Sequence, residues 1–319
     1  MFSRASYGDI ERPFGIDALD QIAAGAFMWV FGSLVFLTPA IHLTTRFLAN
    51  RRLGNEKTEL EGHVRWLSEL VEFVGKLGLF SLRVVGDSLR PPFEFAQFFR
   101  QVAEVGNQSL ILIVVSGFAL GAVMTLHTRS TLVMFGATAM IPAVQAVAFF
   151  VEIGPLVAGL LLAGRVGSGI GAVLANMRAT EQIDAIESLS IDSFKFLVVP
   201  RVLACVVVLP VLTLFMDFAG LLGGFLSEGL TSHIGLTLYL NRAFDYIQWS
   251  NFIAPTLKTT VFGFIIGSVS SYFGYTTDEG AKGVGEAATN SVVLSSLLII
   301  LADVLLIKCI FFLFPDTAI

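Results

Sequence analysis

A chain of 319 residues that is 55% hydrophobic and only 14% charged cannot hide its apolar surface in one water-facing core, since soluble domains carry about 25% charged residues. Lipid must be the solvent for much of it. The net charge of −5 comes without any clustered Lys/Arg footprint, which excludes nucleic acid as a partner.

The first apolar run, 22–43, follows a segment bearing Asp9, Glu11, Asp17 and Asp20 and is too long for a signal-peptide core. It is predicted to be an extra transmembrane helix with Pro39 near its end; a re-entrant or interfacial lie is the alternative. Five further runs, at approximately 108–126, 140–164, 196–226, 252–273 and 292–314, each approach the roughly 20 residues that a helix needs to cross a bilayer. With the N-terminus outside and six crossings, Arg46, Arg51, Arg52, Lys57, Arg65, Lys76, Arg83, Arg90 and Arg100 share one side with Arg165, Arg178, Lys195, Arg201 and Lys282. That side is then cytoplasmic by the positive-inside rule.

The stretch 63–100 is no span. Leu67, Leu70, Val71, Val74 and Leu77 recur at helical spacing, with Ser68, Glu69, Glu72 and Lys76 opposite. Arg90-Pro91-Pro92 must break this helix, and a second amphipathic turn aligns Phe95, Phe98, Phe99 and Val102. An apolar face edged by basic residues predicts a helix in the headgroup layer, a self-packed helical hairpin being the alternative. The polar segment at about 177–192 reads as a short acidic cytosolic helix. Thr180 is its expected cap, and Glu181, Gln182, Asp184 and Glu187 surround Ile183 and Ile186.

No phosphate-loop pattern GxxxxGK[ST] occurs. The run Gly164-Arg165-Val166-Gly167-Ser168-Gly169-Ile170-Gly171 lacks its lysine and continues an apolar helix. The pairs Gly117/Gly121, Gly167/Gly171, Gly220/Gly224 and Gly263/Gly267 instead suit close helix–helix approach in lipid. Glu152, Asp217, Lys258, Asp303 and Lys308 lie within apolar runs, where a lone charge costs at least about 2.5–3.5 kcal/mol at mid-bilayer. They are expected to pair between helices, face a polar cavity or sit near an interface. Cys205 and Cys309 fall in apolar runs that allow neither a disulfide framework nor a CxxC pair. The four histidines are scattered and form no metal site.

Several blocks together closely resemble the MlaE/YrbE permease family. They are Val151-Glu152-Ile153-Gly154-Pro155, Leu162-Ala163-Gly164-Arg165-Val166-Gly167-Ser168, Met177-Arg178-Ala179-Thr180-Glu181-Gln182-Ile183-Asp184-Ala185-Ile186-Glu187, Arg90-Pro91-Pro92-Phe93, Pro200-Arg201, and the run from Gly283 through Val293. The resemblance covers about 61–319. It implies an all-α integral membrane fold, a five-helix MlaE-type permease preceded by an amphipathic interfacial helix, multi-pass in a bacterial inner membrane. It also implies a homodimer beneath MCE-domain periplasmic lipid-binding subunits and above cytosolic ABC ATPases, which would hold the ATP and Mg²⁺, with STAS-domain proteins in attendance. This chain would bind no cofactor. Phospholipid would be the substrate, moved between inner and outer membranes. Thr180, Glu181, Gln182, Ile183, Asp184, Ile186 and Glu187 would then form the ATPase-coupling helix. Glu152, Pro155, Arg165, Leu120, Met124 and Asp303 would line or gate a lipid cavity between the runs at 108–126, 140–164 and 292–314. Arg65, Trp66, Arg90 and Arg100 would sit at the membrane interface. Two features depart from the family pattern: Ala172-Val173 replaces a frequent Ala-Glu, and residues 1–60 extend beyond the usual start. Two rival readings are an ion-driven secondary transporter using Asp217, Asp303 and Glu152, and a structural anchor for a periplasmic complex.

Overall fold

The computed structural model describes residues 59–91, 93–245, 247, 249–277 and 280–313, so the expected helix at 22–43 lies outside the described residues. No strand occurs among the described residues. The elements are α1 (Glu59–Ser88), α2 (Phe95–Met134), a three-part helix of α3 (Ile141–Ala148), α4 (Gly154–Leu162) and α5 (Ser168–Ala179), the short α6 (Gln182–Ser188), α7 (Val199–Ser232), α8 (Leu236–Phe244), α9 (Trp249–Tyr275) and α10 (Gly280–Leu313). Among the described residues, five helices are long and apolar enough to cross a membrane: Phe95–Met134, Thr138–Ala179, Phe194–Ser232, Phe252–Tyr275 and Gly280–Ile310.

The first three spans begin and end further out than the apolar runs predict, and the fifth begins twelve residues earlier, because polar and charged residues at helix ends continue the same backbone. The largest correction concerns Phe95, Phe98 and Phe99. They form the first turns of α2 rather than a separate amphipathic turn, and the helix before them ends at Ser88. The break at Arg90-Pro91 is where the sequence puts it. Proline offers no N–H to continue a helix, and the chain closes a turn there through Arg90 N–H donating to the Asp87 carbonyl at 3.4 Å.

The second span contains two wide turns, Phe149–Ile153 and Ala163–Gly167, and a third opens the next span at Phe194–Val198. Pro155 follows the first and Pro200 follows the third, each two residues on. Neither proline can donate to the preceding turn, and widening of the ladder accommodates that loss without ending the helix.

Lipid gives apolar side chains no reason to leave it, so close backbone approach and dispersion must hold the spans together. The α2–α7 contact is the most extensive in the chain. A Cβ on Gly121 would collide with the Gly220 carbonyl, and one on Gly117 would stand 2.6 Å from the Met216 carbonyl oxygen. Gly267 repeats the arrangement between α9 and α7, its Cβ position 2.7 Å from Val202 Cα. All four small-residue pairs seen in the sequence thus lie at helix contacts.

Helix α1 is apolar on more than one face. The stripe that packs on the bundle includes Phe73, Phe80 and Val84, with Phe80 centred 5.0 Å from Phe194 and 5.5 Å from Tyr272. The predicted stripe is displaced: Val71 and Val74 are exposed, together with Leu79, Leu82 and Leu89. A second apolar surface left outside a packed one suits a helix with protein on one side and lipid on the other.

Candidate functional site

Two groups of polar side chains stand out against the apolar bundle, one at the end of the molecule where Lys and Arg concentrate and one inside the spans.

At the basic end, α5 stops at Thr180. Its hydroxyl donates back to the Asn176 carbonyl at 2.7 Å, so Thr180 closes the helix behind it rather than opening the next. Glu181 adopts the left-handed conformation (φ 58°), which turns the chain sharply into α6. Arg178 pairs with Asp184 across this corner at 2.8 Å. Ile183 is fully buried and Ile186 packs against the central core, while Glu181, Gln182, Asp184 and Glu187 are exposed. The seven expected coupling residues therefore divide. Two isoleucines anchor the helix, Thr180 shapes its approach, and the four polar residues face outward.

Glu187 extends that anchorage. It accepts from the Ser193 hydroxyl at 2.5 Å and from the Tyr275 hydroxyl at 3.3 Å, and the two hydroxyls lie 2.7 Å apart. Ser193 precedes the third span and Tyr275 ends the fourth, so one carboxylate ties α6 to both. Arg83 of α1 joins from the side, its Cζ 4.1 Å from the Phe194 ring centre and its Nη2 3.8 Å from Asp192. Sequence reasoning missed this network. Its only signal is the presence of Ser193 and Tyr275 at the ends of apolar runs.

Within the membrane, the expected pairing between helices is present as a triad. Lys258 Nζ of α9 lies 2.8 Å from Glu152 in the wide turn and 2.8 Å from Asp303 of α10. Burying one ammonium between two carboxylates replaces water with direct partners. Asp217 of α7 is fully buried against Gly154, and neither of its oxygens has a hydrogen-bond partner among the described residues. Lys308 is exposed. A second buried node centres on Gln145. Its amide donates to the carbonyls of Gly121 (3.1 Å) and Gly220 (3.3 Å), and its oxygen accepts from Tyr239 at 2.8 Å and from Thr125. Burial pushes the Tyr239 phenol above its usual range and so keeps it a donor. At the end opposite the basic one, Arg129 meets Glu228 at 2.6 Å.

The proposed cavity residues do not converge. Glu152 and Asp303 share Lys258, Pro155 is buried, Leu120 and Met124 are half-buried on α2, and Arg165 is exposed in its wide turn. Cavities of about 390, 310 and 290 Å³ lie elsewhere, and none of these six residues lines any of them. Arg90 and Arg100 are exposed at the basic end; the side chains of Arg65 and Trp66 fall outside the described residues. No cluster of His, Cys, Asp and Glu among the described residues could hold a metal ion.

Five helices able to span a membrane, a lysine shared by two carboxylates between them and a braced acidic helix define a multi-pass membrane protein. Residues 98–309 match the family described as Permease MlaE, and the chain belongs to that family of ABC transporter permeases. It is 38% identical over 242 residues to a probable ABC transporter permease protein of Rickettsia bellii, covering 76% of this chain and 93% of that one. A similarly named protein of Synechocystis is 36% identical over 68% of this chain and 83% of its own length. The chloroplastic protein TRIGALACTOSYLDIACYLGLYCEROL 1 of Arabidopsis thaliana is 31% identical over 70% of this chain and 64% of its own length.

Proposed function

We propose that this chain is the membrane-spanning half of an ATP-driven phospholipid transporter in a bacterial inner membrane. It would work as a homodimer with cytosolic ABC ATPases, MCE-domain periplasmic subunits and an attendant STAS-domain protein. In this reading residues 61–319 form the permease unit. Lipid passes between inner and outer membranes through an apolar cavity that two copies complete, since Leu120, Met124 and Arg165 stand apart from the Glu152–Lys258–Asp303 triad in a single copy. The relative named after a galactosyl diacylglycerol supports a lipid cargo.

The observation that carries the reading is the braced acidic helix. Burial of Ile183 and the Glu187–Ser193–Tyr275 contacts hold α6 on the bundle, while Glu181 and the Arg178-paired Asp184 stay exposed on its outer side. A partner that moves α6 therefore moves the ends of two spans, and ATP with Mg²⁺ on that partner supplies the work. The basic end is cytosolic in this reading, as an excess of Lys and Arg requires.

Glu181→Arg with Asp184→Arg reverses the exposed charge without touching Ile183 or Glu187. The double variant is expected to purify as folded protein and to lose its co-purifying ATPase. Undiminished ATPase in that preparation would overturn the docking assignment. Asp217, buried and unpartnered, favours one rival, an ion-driven carrier. Proteoliposomes containing this chain alone decide between them, since ion-gradient-driven lipid movement without ATPase would establish the rival.

A further inference from the structure

The end of α1, the link after it and the starts of α2 and α7 enclose the cavity of about 390 Å³. Its charged residues are Asp87, Glu94 and Lys195, and its apolar walls include Phe93, Phe98 and Leu203. The cavity of about 290 Å³ lies between α1, α7 and α9, walled by Val84, Val202, Val206, Val261 and Phe264, with no charged residue. Ser88 and Leu203 line both cavities, so the two are parts of one groove. The groove is charged at one end and apolar at the other.

Depth follows from helix rise. Val206 lies eleven residues beyond Lys195 along the third span, and Phe264 lies eleven residues before Tyr275, where the fourth span ends. At 1.5 Å per residue both are about 16 Å inward from the basic end. Two independent helices thus place the charged end at headgroup level and the apolar end within the hydrocarbon. Arg83 touches Asp87 at 3.4 Å from beside the groove. Counting it, two cations face two carboxylates. Asp87 is already matched by Arg83, so Lys195 and Glu94 are the charges left to a ligand: a zwitterionic headgroup fits them, phosphate toward Lys195 and amine toward Glu94, whereas an anionic headgroup leaves Glu94 unmatched.

We propose that this groove binds a phospholipid with an amine-bearing headgroup, drawn from the leaflet at the basic end and distinct from any transported lipid. One acyl chain lies along Leu203, Val206 and Phe264, and the occupant fills the space between α1 and the bundle. The proposal rests on the chain being embedded in a membrane and not on what the permease moves. The two readings therefore fail separately.

The test uses the full chain in nanodiscs containing trace phosphatidylethanolamine or phosphatidylglycerol with a photoreactive acyl chain, and maps labelled peptides by mass spectrometry. Labelling is expected to concentrate on residues 199–206, with phosphatidylethanolamine favoured over phosphatidylglycerol by about tenfold, the value of one charge-assisted hydrogen bond. Leu203→Trp, which fills the groove where its parts join, is expected to abolish that labelling. Glu94→Lys, in the link outside the helices, is expected to invert the headgroup preference and keeps the test decisive should Leu203→Trp fail to fold. Labelling of 199–206 no stronger than that of the outer face of α10 at 300–305 would show annular lipid only and overturn the proposal. So would phosphatidylglycerol labelling equal to phosphatidylethanolamine, or headgroup preference unchanged by Glu94→Lys.

Discussion

The third and fifth spans are equally apolar, yet 61% of the most apolar window of Phe194–Ser232 is buried inside the chain against 17% for Gly280–Ile310. Hydropathy reports transfer out of water, and lipid and protein satisfy it alike. What separates the two is shape. The third span carries Gly220, Gly223 and Gly224 where α2 and α3 press against it, and a Cβ on Gly223 would strike the Phe118 carbonyl. The fifth presents Val293, Ile300, Leu301 and Leu305 outward. Large side chains in that row keep other backbones at a distance and leave a surface for lipid or for a second copy.

The sharpest way to break this contrast is to bury a charge or open one. Ile183→Asp places a carboxylate in a fully buried pocket and Lys258→Met leaves Glu152 and Asp303 facing each other. Each is expected to lose about 3–5 kcal/mol, seen as loss of the monodisperse peak in detergent. The triple variant Lys258→Met, Glu152→Gln, Asp303→Asn should recover most of it, and failure to recover would show that the triad does more than neutralise itself. Next in size is Gly220→Leu, which drives a side chain into Phe149 and is expected to cost about 1–3 kcal/mol by overpacking, read as a fall in melting temperature. Tyr275→Phe removes one hydroxyl from the Glu187 network and should cost about 1 kcal/mol in the same melt. The smallest effect belongs to the fifth span. Leu305→Ala on its exposed face should shift stability by less than about 0.5 kcal/mol, and a large shift would mean that this face is packed in the working assembly.

Much of the architecture is legible in the residues because the relevant physics is local. Length and apolarity locate five spans, Pro91 ends α1, and glycines four apart find the helix contacts. The facing of individual side chains is less legible. Ile183 and Glu187 lie one turn apart on α6, and nothing local says that one points into the core and the other reaches Tyr275, 88 positions away. Thr180 looks like the start of a helix because threonine caps well, but the left-handed Glu181 after it makes it an end. Lys258 declares that it needs a counter-ion, and only the fold shows that it has two. The amphipathic stripe of α1 was displaced for a related reason. A helix with lipid on one side and protein on the other is apolar on both, so periodicity alone cannot tell which side is which.

The wide turns at Phe149–Ile153 and Ala163–Gly167 each hold one residue more than a regular ladder needs. That surplus sets the phase of everything downstream. Removing a single residue from the second would straighten the helix yet swing Ser168–Ala179 by about 100°. Gly171 would leave Ser291, and α6 would leave its seat on the bundle. The second span thus works like a keyed shaft: two small irregularities in its middle decide which way the far end is aimed.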